Sequence, residues 1–220
     1  MILLENFVSL TQPWIKICGI TQNKDADYAA QLGVNALGFV FYSKSPRSIS
    51  SKGLPKIIEN LKGSVSIVAL FVDPSKDEVS EVLDSGLIDL IQFHGNESEE
   101  FCRSFDTPYM KALHIKDQFL PLSVFDKYSS ARYLLLDTFS RKVSGGTGKT
   151  FDWSIARDAI EKTNRKIIIA GGLNPTNVEY VVNAINPFGV DVSSGVESSL
   201  GTKDMTKLNR FVREARSVRS

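Results

Sequence analysis

The sequence predicts an α/β protein: a single-domain (β/α)8 barrel of the TIM type over residues 14–220, preceded by a short N-terminal extension, residues 1–13. Three observations carry this. Eight short apolar runs alternate with eight segments of helical periodicity from one end of the chain to the other. No long Pro- or Ser-rich linker divides the 220 residues, a length that suits one domain burying roughly 70% of its unfolded surface. Residues able to do chemistry gather at the ends of the apolar runs, where such a barrel opens its mouth.

The first predicted strand, Ile15–Ile17, ends at Cys18-Gly19, and the glycine allows a sharp exit into a loop. Further strands are read at Ala36–Val40, Ser66–Phe71, Leu90–Phe93, Met110–Leu113, Tyr133–Leu136, Lys166–Ile169 and Gly189–Val192. Between and after them, helical spacing covers residues 24–32, 51–61, 76–83, 97–104, 117–128, 152–161, 176–183 and 204–215. Asp73-Pro74-Ser75 and Asn174-Pro175-Thr176 supply side-chain oxygens for helix starts, with proline preset for a first turn. A closed barrel accommodates eight such units in one chain better than an open doubly wound sheet.

Composition narrows the partners. A formal net charge of +1 gives no reason to expect nucleic acid or an acidic membrane surface. No run of about 18 apolar residues is present, so no spanning helix is expected. Residues 1–13 contain Glu5 and neither lysine nor arginine, unlike a secretory or organellar presequence. Two cysteines, Cys18 and Cys102, are too few for a disulfide scaffold, and a reducing cytoplasm is the natural compartment.

Side-chain alternation along the strands assigns the mouth. Cys18 shares a face with Lys16, and His94 shares one with Gln92. Asp137 follows three leucines at the end of strand 6, while Asp191 and Ser193 lie at strand 8. One opening therefore gathers a thiol, two carboxylates, an imidazole and an ammonium. Lys16 is the residue placed to lower the thiol pKa. His94 and His114 are two histidines with no matching cluster of other ligands, so no metal is expected. Cys102 reads as a buried helix residue.

Two glycine-bearing loops follow strands 7 and 8. Ala170-Gly171-Gly172-Leu173 is one; Ser193-Ser194-Gly195-Val196-Glu197 is the other. Glycine lets backbone N–H groups approach an anion closely, and these two loops form the usual phosphate site of such barrels, so Gly171, Gly172, Ser193, Ser194 and Gly195 point to a phosphorylated ligand. Ser144-Gly145-Gly146-Thr147-Gly148-Lys149-Thr150 ends like a P-loop, but Val143 stands where that pattern needs glycine. A lid built on Gly145, Gly146 and Gly148 is the better reading. Arg47, in a loop after strand 2, reads by itself either as a solvated surface charge or as a carboxylate grip through both arms of its guanidinium.

Taken together, these motifs resemble phosphoribosylanthranilate isomerases of tryptophan biosynthesis. The resemblance rests on Lys16-Ile17-Cys18-Gly19-Ile20-Thr21, Gly38-Phe39-Val40-Phe41, Ser45-Pro46-Arg47 and Gln92-Phe93-His94-Gly95. It continues through Leu136-Asp137-Thr138, Gly145-Gly146-Thr147-Gly148, Phe151-Asp152-Trp153, Ala170-Gly171-Gly172-Leu173 and Asp191-Val192-Ser193-Ser194-Gly195-Val196-Glu197. It implies a cofactor-free Amadori rearrangement of a phosphosugar substrate, an aminoaldose converted to an aminoketose. Cys18 matches the family's general base, Asp137 its general acid, Arg47 its carboxylate grip and the loops after strands 7 and 8 its phosphate grip. A monomer is expected. A related barrel acting on a histidine-pathway aminoaldose would carry a carboxylate in place of Cys18, and an indole-forming synthase would need other carboxylates and lysines. A degenerate barrel serving only as a scaffold would have no need to keep both Cys18 and Asp137.

Overall fold

The computed structural model describes residues 12–61, 65–115, 121, 123–137 and 154–217. The predicted N-terminal extension falls outside these residues except for Gln12 and Pro13, as does the whole proposed lid with Gly145, Gly146 and Gly148.

Eight parallel strands close into one barrel in chain order. They are β1 (Trp14–Cys18), β2 (Ala36–Val40), β3 (Ser66–Phe71), β4 (Leu90–Phe93), β5 (Tyr109–His114), β6 (Tyr133–Asp137), β7 (Ile167–Ala170) and β8 (Gly189–Val192). The helices are α1 (Asn23–Gln31), α2 (Leu54–Ile58), α3 (Lys76–Leu83), α4 (Glu99–Cys102), α5 (Ser123–Lys127), α6 (Ser154–Glu161), α7 (Val178–Ile185) and α8 (Met205–Arg216). A small antiparallel ribbon, β9 (Glu197–Ser199) with β10 (Thr202–Lys203), lies between β8 and α8.

The strands sort their side chains by parity, as alternation requires. One set faces outward: Ile15, Ile17, Leu37, Phe39, Ile67, Phe71, Ile91, Phe93, Leu134, Leu136, Ile167 and Ile169 join helix residues such as Val79, Val181 and Phe211 in the main core. The other set fills the barrel lumen, with Ala36, Val68, Leu90, Met110, Leu135 and Ile168 packed together at one level and Cys18, Val40 and Leu70 at another. Both faces are buried, which is why the strands read as continuous apolar runs rather than as half-polar alternation.

Helix boundaries depart from the sequence reading where local hydrogen bonds compete with the helix. The stretch read as 51–61 opens with a single 3-10 turn, Ser51–Gly53, before α2 begins. The helix read from residue 97 starts at Glu99 because Ser98 is its cap, accepting from the Phe101 N–H at 3.2 Å. Glu97 is instead drawn inward to a buried ion pair. α3 is capped by Ser75, which accepts from the Glu78 N–H at 3.2 Å while Glu78 accepts from the Ser75 N–H at 2.7 Å. Asp73 takes no part in that cap; it sits at φ 48° and accepts from the Asn96 N–H at 2.6 Å. Asn174 caps an Asx turn, accepting from the Thr176 N–H at 2.8 Å, so α7 is delayed to Val178.

Candidate active site

The C-terminal ends of the strands surround a cavity of about 310 Å³. Cys18, Arg47, Gln92, His94, Asp137, Gly171, Gly172, Asp191, Ser193, Ser194 and Gly195 all line it, so most of the site residues read from the sequence share one space. Lys16 lies deeper in the lumen, fully buried beneath Cys18.

Register explains the placement. Lys16 is the β-ladder partner of Asp191, and Cys18 that of Gly38. The Lys16 ammonium donates to both Asp191 oxygens at 3.0 Å. A Cβ on Gly38 would lie 2.8 Å from Cys18 Sγ and 2.9 Å from Lys16 Nζ. Only the absence of a side chain at 38 leaves room for the thiol and the ammonium to sit side by side. Burial alone would lower the Lys16 pKa, but the Asp191 carboxylate and the neighbouring thiol outweigh it and hold the ammonium charged.

The thiol answers to burial and to two opposed charges. Burial dominates and pushes Cys18 above its ordinary value; Lys16 pulls it down, and Asp191 pushes it up again. Lys16 acts in the expected direction without winning, because burial outweighs its field and Asp191 opposes it.

Arg47 also differs from expectation. Its Nε and Nη2 donate to Glu197 at 2.7 and 2.6 Å, so one edge of the guanidinium already holds a protein carboxylate. The remaining edge, Nη1 with the second Nη2 hydrogen, has no protein acceptor among the described residues. Glu197 in turn accepts from Lys203 at 3.0 Å, and Lys203 also donates to the carbonyls of Cys18 at 2.7 Å and Ser193 at 3.2 Å. Desolvation would raise the Glu197 pKa, but Arg47 and Lys203 overcome it and keep the carboxylate ionised below its usual range. This Arg47–Glu197–Lys203 network ties the loops after β1, β2 and β8 together. Sequence reasoning missed Glu197 and Lys203 as members, since their partners lie about 150 and 185 positions away.

At the other side of the mouth, Gln92 Nε2 lies 2.9 Å from His94 Nδ1, and His94 Nε2 lies 3.1 Å from an Asp137 carboxylate oxygen. Asp137 is the register partner of His114, whose Nδ1 is 3.8 Å from the same oxygen. The sequence reading found no cluster to go with the two histidines. The fold supplies one, because residue 94 directly follows β4 and residues 114 and 137 end β5 and β6.

The loops after β7 and β8 pack backbone on backbone: a Cβ at Gly195 would run into the Leu173 carbonyl. Gly171 and Gly172 adopt φ of 87° and 70°, in the left-handed region that favours glycine. The N–H groups of Gly172, Ser194 and Gly195 have no acceptor among the described residues and border the cavity. A thiol, a carboxylate, an arginine edge and a cluster of open amides on one cavity can bind a dianion at one end and move protons at the other.

Comparison with known proteins agrees with this geometry. The family model described as N-(5'phosphoribosyl)anthranilate (PRA) isomerase matches residues 15–214. An N-(5'-phosphoribosyl)anthranilate isomerase of Legionella pneumophila (strain Paris) is 43% identical over 199 residues, covering 90% of this chain and 95% of the relative. One from Pseudomonas fluorescens (strain SBW25) is 44% identical over 202 residues, covering 92% and 95%. Among solved structures, the phosphoribosyl anthranilate isomerase of Thermotoga maritima superposes with a TM-score of 0.82 at 35% identity, over 94% of this chain and 100% of that one. Another, solved in complex with reduced 1-(o-carboxyphenylamino)-1-deoxyribulose 5-phosphate, gives 0.78 at 33% identity, over 94% and 100%. The chain belongs to the N-(5'-phosphoribosyl)anthranilate isomerase family.

Proposed function

We propose that this chain isomerises N-(5'-phosphoribosyl)anthranilate to 1-(2-carboxyphenylamino)-1-deoxyribulose 5-phosphate in tryptophan biosynthesis, with Asp137 as general acid and Cys18 as general base. The observation that carries the assignment is that Cys18 and Asp137, from β1 and β6, line one cavity together with the loops after β7 and β8.

In this reading the phosphate sits against the N–H groups of Gly172, Ser194 and Gly195, where Gly171 and Ser193 shape the backbone. The free edge of Arg47 takes the anthranilate carboxylate, while Glu197 fixes the other edge so that the guanidinium is preorganised. Substrate held at both ends places the ribose between acid and base. Asp137 protonates the ring oxygen, the ring opens to an iminium, and Cys18 removes the C2' proton. The resulting enolamine tautomerises to the ketone. No cofactor is needed, because both proton transfers are made by side chains.

The elevated thiol pKa fits an ordered reaction. The iminium formed by ring opening puts positive charge into the cavity, and a nearby cation favours the thiolate. Base and acid would thus be activated in sequence.

We place the enzyme as a monomer in the cytoplasm, a setting suited to two free, buried cysteines, Cys18 and Cys102. Among the described residues no helix is long and apolar enough to cross a membrane.

The test follows the fluorescence of freshly generated phosphoribosylanthranilate. Wild-type protein should remove it rapidly, and Cys18→Ala and Asp137→Asn should each lower kcat by about 10²–10⁴-fold with folding intact. Near-normal kcat in either variant removes that residue from its role. No turnover by folded wild-type protein rejects the reaction and points to a histidine-pathway aminoaldose as the next substrate.

A further inference from the structure

We propose that His94, His114 and Asp137 form a binding site for a divalent transition-metal ion of the zinc type at the rim of the cavity, through which such an ion inhibits the enzyme. Inhibition rests on the role given above to Asp137; the binding itself does not.

The donor set is two imidazole nitrogens and one carboxylate oxygen, all within 4.8 Å of one another. Three protein ligands of this type, with a further position open to water, are a zinc arrangement. At Zn–N and Zn–O distances of about 2.0–2.2 Å, tetrahedral ligands stand about 3.4 Å apart. The observed separations of 3.1 Å and 3.8 Å from the Asp137 oxygen straddle that value. Magnesium and calcium prefer all-oxygen ligand sets and are excluded by the two imidazoles.

Hydrogen bonding aims the lone pairs. His114 Nε2 lies 3.0 Å from the His94 carbonyl oxygen, which can only accept, so Nε2 carries the hydrogen. In neutral His114 the Nδ1 lone pair therefore faces the Asp137 carboxylate, so that one ion between them can take both as ligands. His94 is served by Gln92, which is fully buried with its Oε1 unpaired among the described residues. Rotating that amide by half a turn brings Oε1 to His94 Nδ1–H and leaves the Nε2 lone pair pointing at the cluster. A buried carboxamide holding the far nitrogen of a metal-bound imidazole is the usual support of such ligands. One ligand directly follows β4 and the others end β5 and β6, so the barrel fixes their spacing.

His114 does not line the cavity and has no part in the proposed reaction, which makes it the residue to change. Zinc binding is measured by competition with a chromophoric chelator, and turnover is measured with zinc or with EDTA. Wild-type protein should bind one zinc per chain and lose turnover, reversibly with EDTA, whereas magnesium should do neither. His114→Ala should bind at least about 10-fold more weakly, the loss that even indirect supports of a ligand incur, and its turnover, taken relative to its own rate in EDTA, should resist zinc. His114→Gln should behave in the same way, with Co2+ visible absorption bands present in wild type and lost in both variants. Equal zinc affinity in wild type and His114→Ala, or no stoichiometric binding at all, overturns the proposal. Binding that depends on His114 while wild-type turnover is untouched supports the metal site and counts against Asp137 as the acid.

Discussion

Two buried lysines mark two kinds of region in this molecule. Lys111 points out of the barrel between β5 and the β4–α4 connection, and Lys16 points into the lumen. Each pairs with a carboxylate that is itself nearly inaccessible, Glu97 for one and Asp191 for the other. The difference lies in what else surrounds the ammonium. Lys111 donates to the carbonyls of Phe93, Gly95 and Ala112 as well as to Glu97, at 2.7–3.3 Å. Glu97 in turn accepts from the N–H groups of Asp73 and Gly95. That pair is enclosed in backbone, and the thiol its charges reach, Cys102, lies away from the cavity and is pushed up to about 12 by burial. Lys16 bonds the two Asp191 oxygens and turns its remaining field on a thiol in the cavity wall. Similar chemistry is structural when the shell is closed and functional when one side is left open.

Several substitutions sharpen or break this contrast. Lys111→Met should cost about 3–5 kcal/mol of unfolding free energy by stranding the Glu97 charge, with kcat of the folded fraction near wild type. Urea melts run beside initial rates would check both halves. Lys16→Met should cost less stability, about 1–3 kcal/mol, because water in the cavity can reach Asp191. It should also act on the chemistry. Lys16 pulls the Cys18 pKa down, so removing it raises that pKa further and moves the rising limb of the pH–rate profile to higher pH. An unmoved profile would break the link between Lys16 and the thiol.

Gly38→Ala tests the space the pair occupies. A methyl group 2.8 Å from Sγ and 2.9 Å from Nζ has to displace one of them; overpacking of this kind costs about 1–3 kcal/mol. The expected signature is a drop in kcat together with the melting point, whereas a fully active variant would mean the lumen gives way elsewhere. The smallest effect belongs to the exposed pair Lys162–Asp158, 2.9 Å apart on the surface beside α6. Lys162→Ala should change stability by no more than about 0.5 kcal/mol, readable as a null control in the same melts.

Much of this site is legible in the chain itself because barrel chemistry sits at strand ends and side-chain parity is strict. Cys18, Asp137, Asp191 and His94 each stand out from one dipeptide or one run, without knowledge of their neighbours. Local signals fail where the deciding partner is remote. Nothing near Arg47 announces Glu197, and nothing near Glu97 announces Lys111, so Arg47 reads as wholly available and Glu97 as the start of a helix. The early start assigned to α7 has a local cause: the Asn174 side chain bonds the backbone that a helix would have used.

By itself, the sequence determined the architecture and the residue types at the mouth. Eight apolar strands alternating with eight helices in one chain of this length close into a barrel, and closing sends alternate residues into one lumen. Tertiary structure alone decided the electrostatics. Whether the Cys18 thiol is raised or lowered depends on burial and on two opposed charges from β1 and β8. Which edge of Arg47 is open depends on a carboxylate 150 residues away. Such quantities fall off with distance in space, and distance along the chain does not record them.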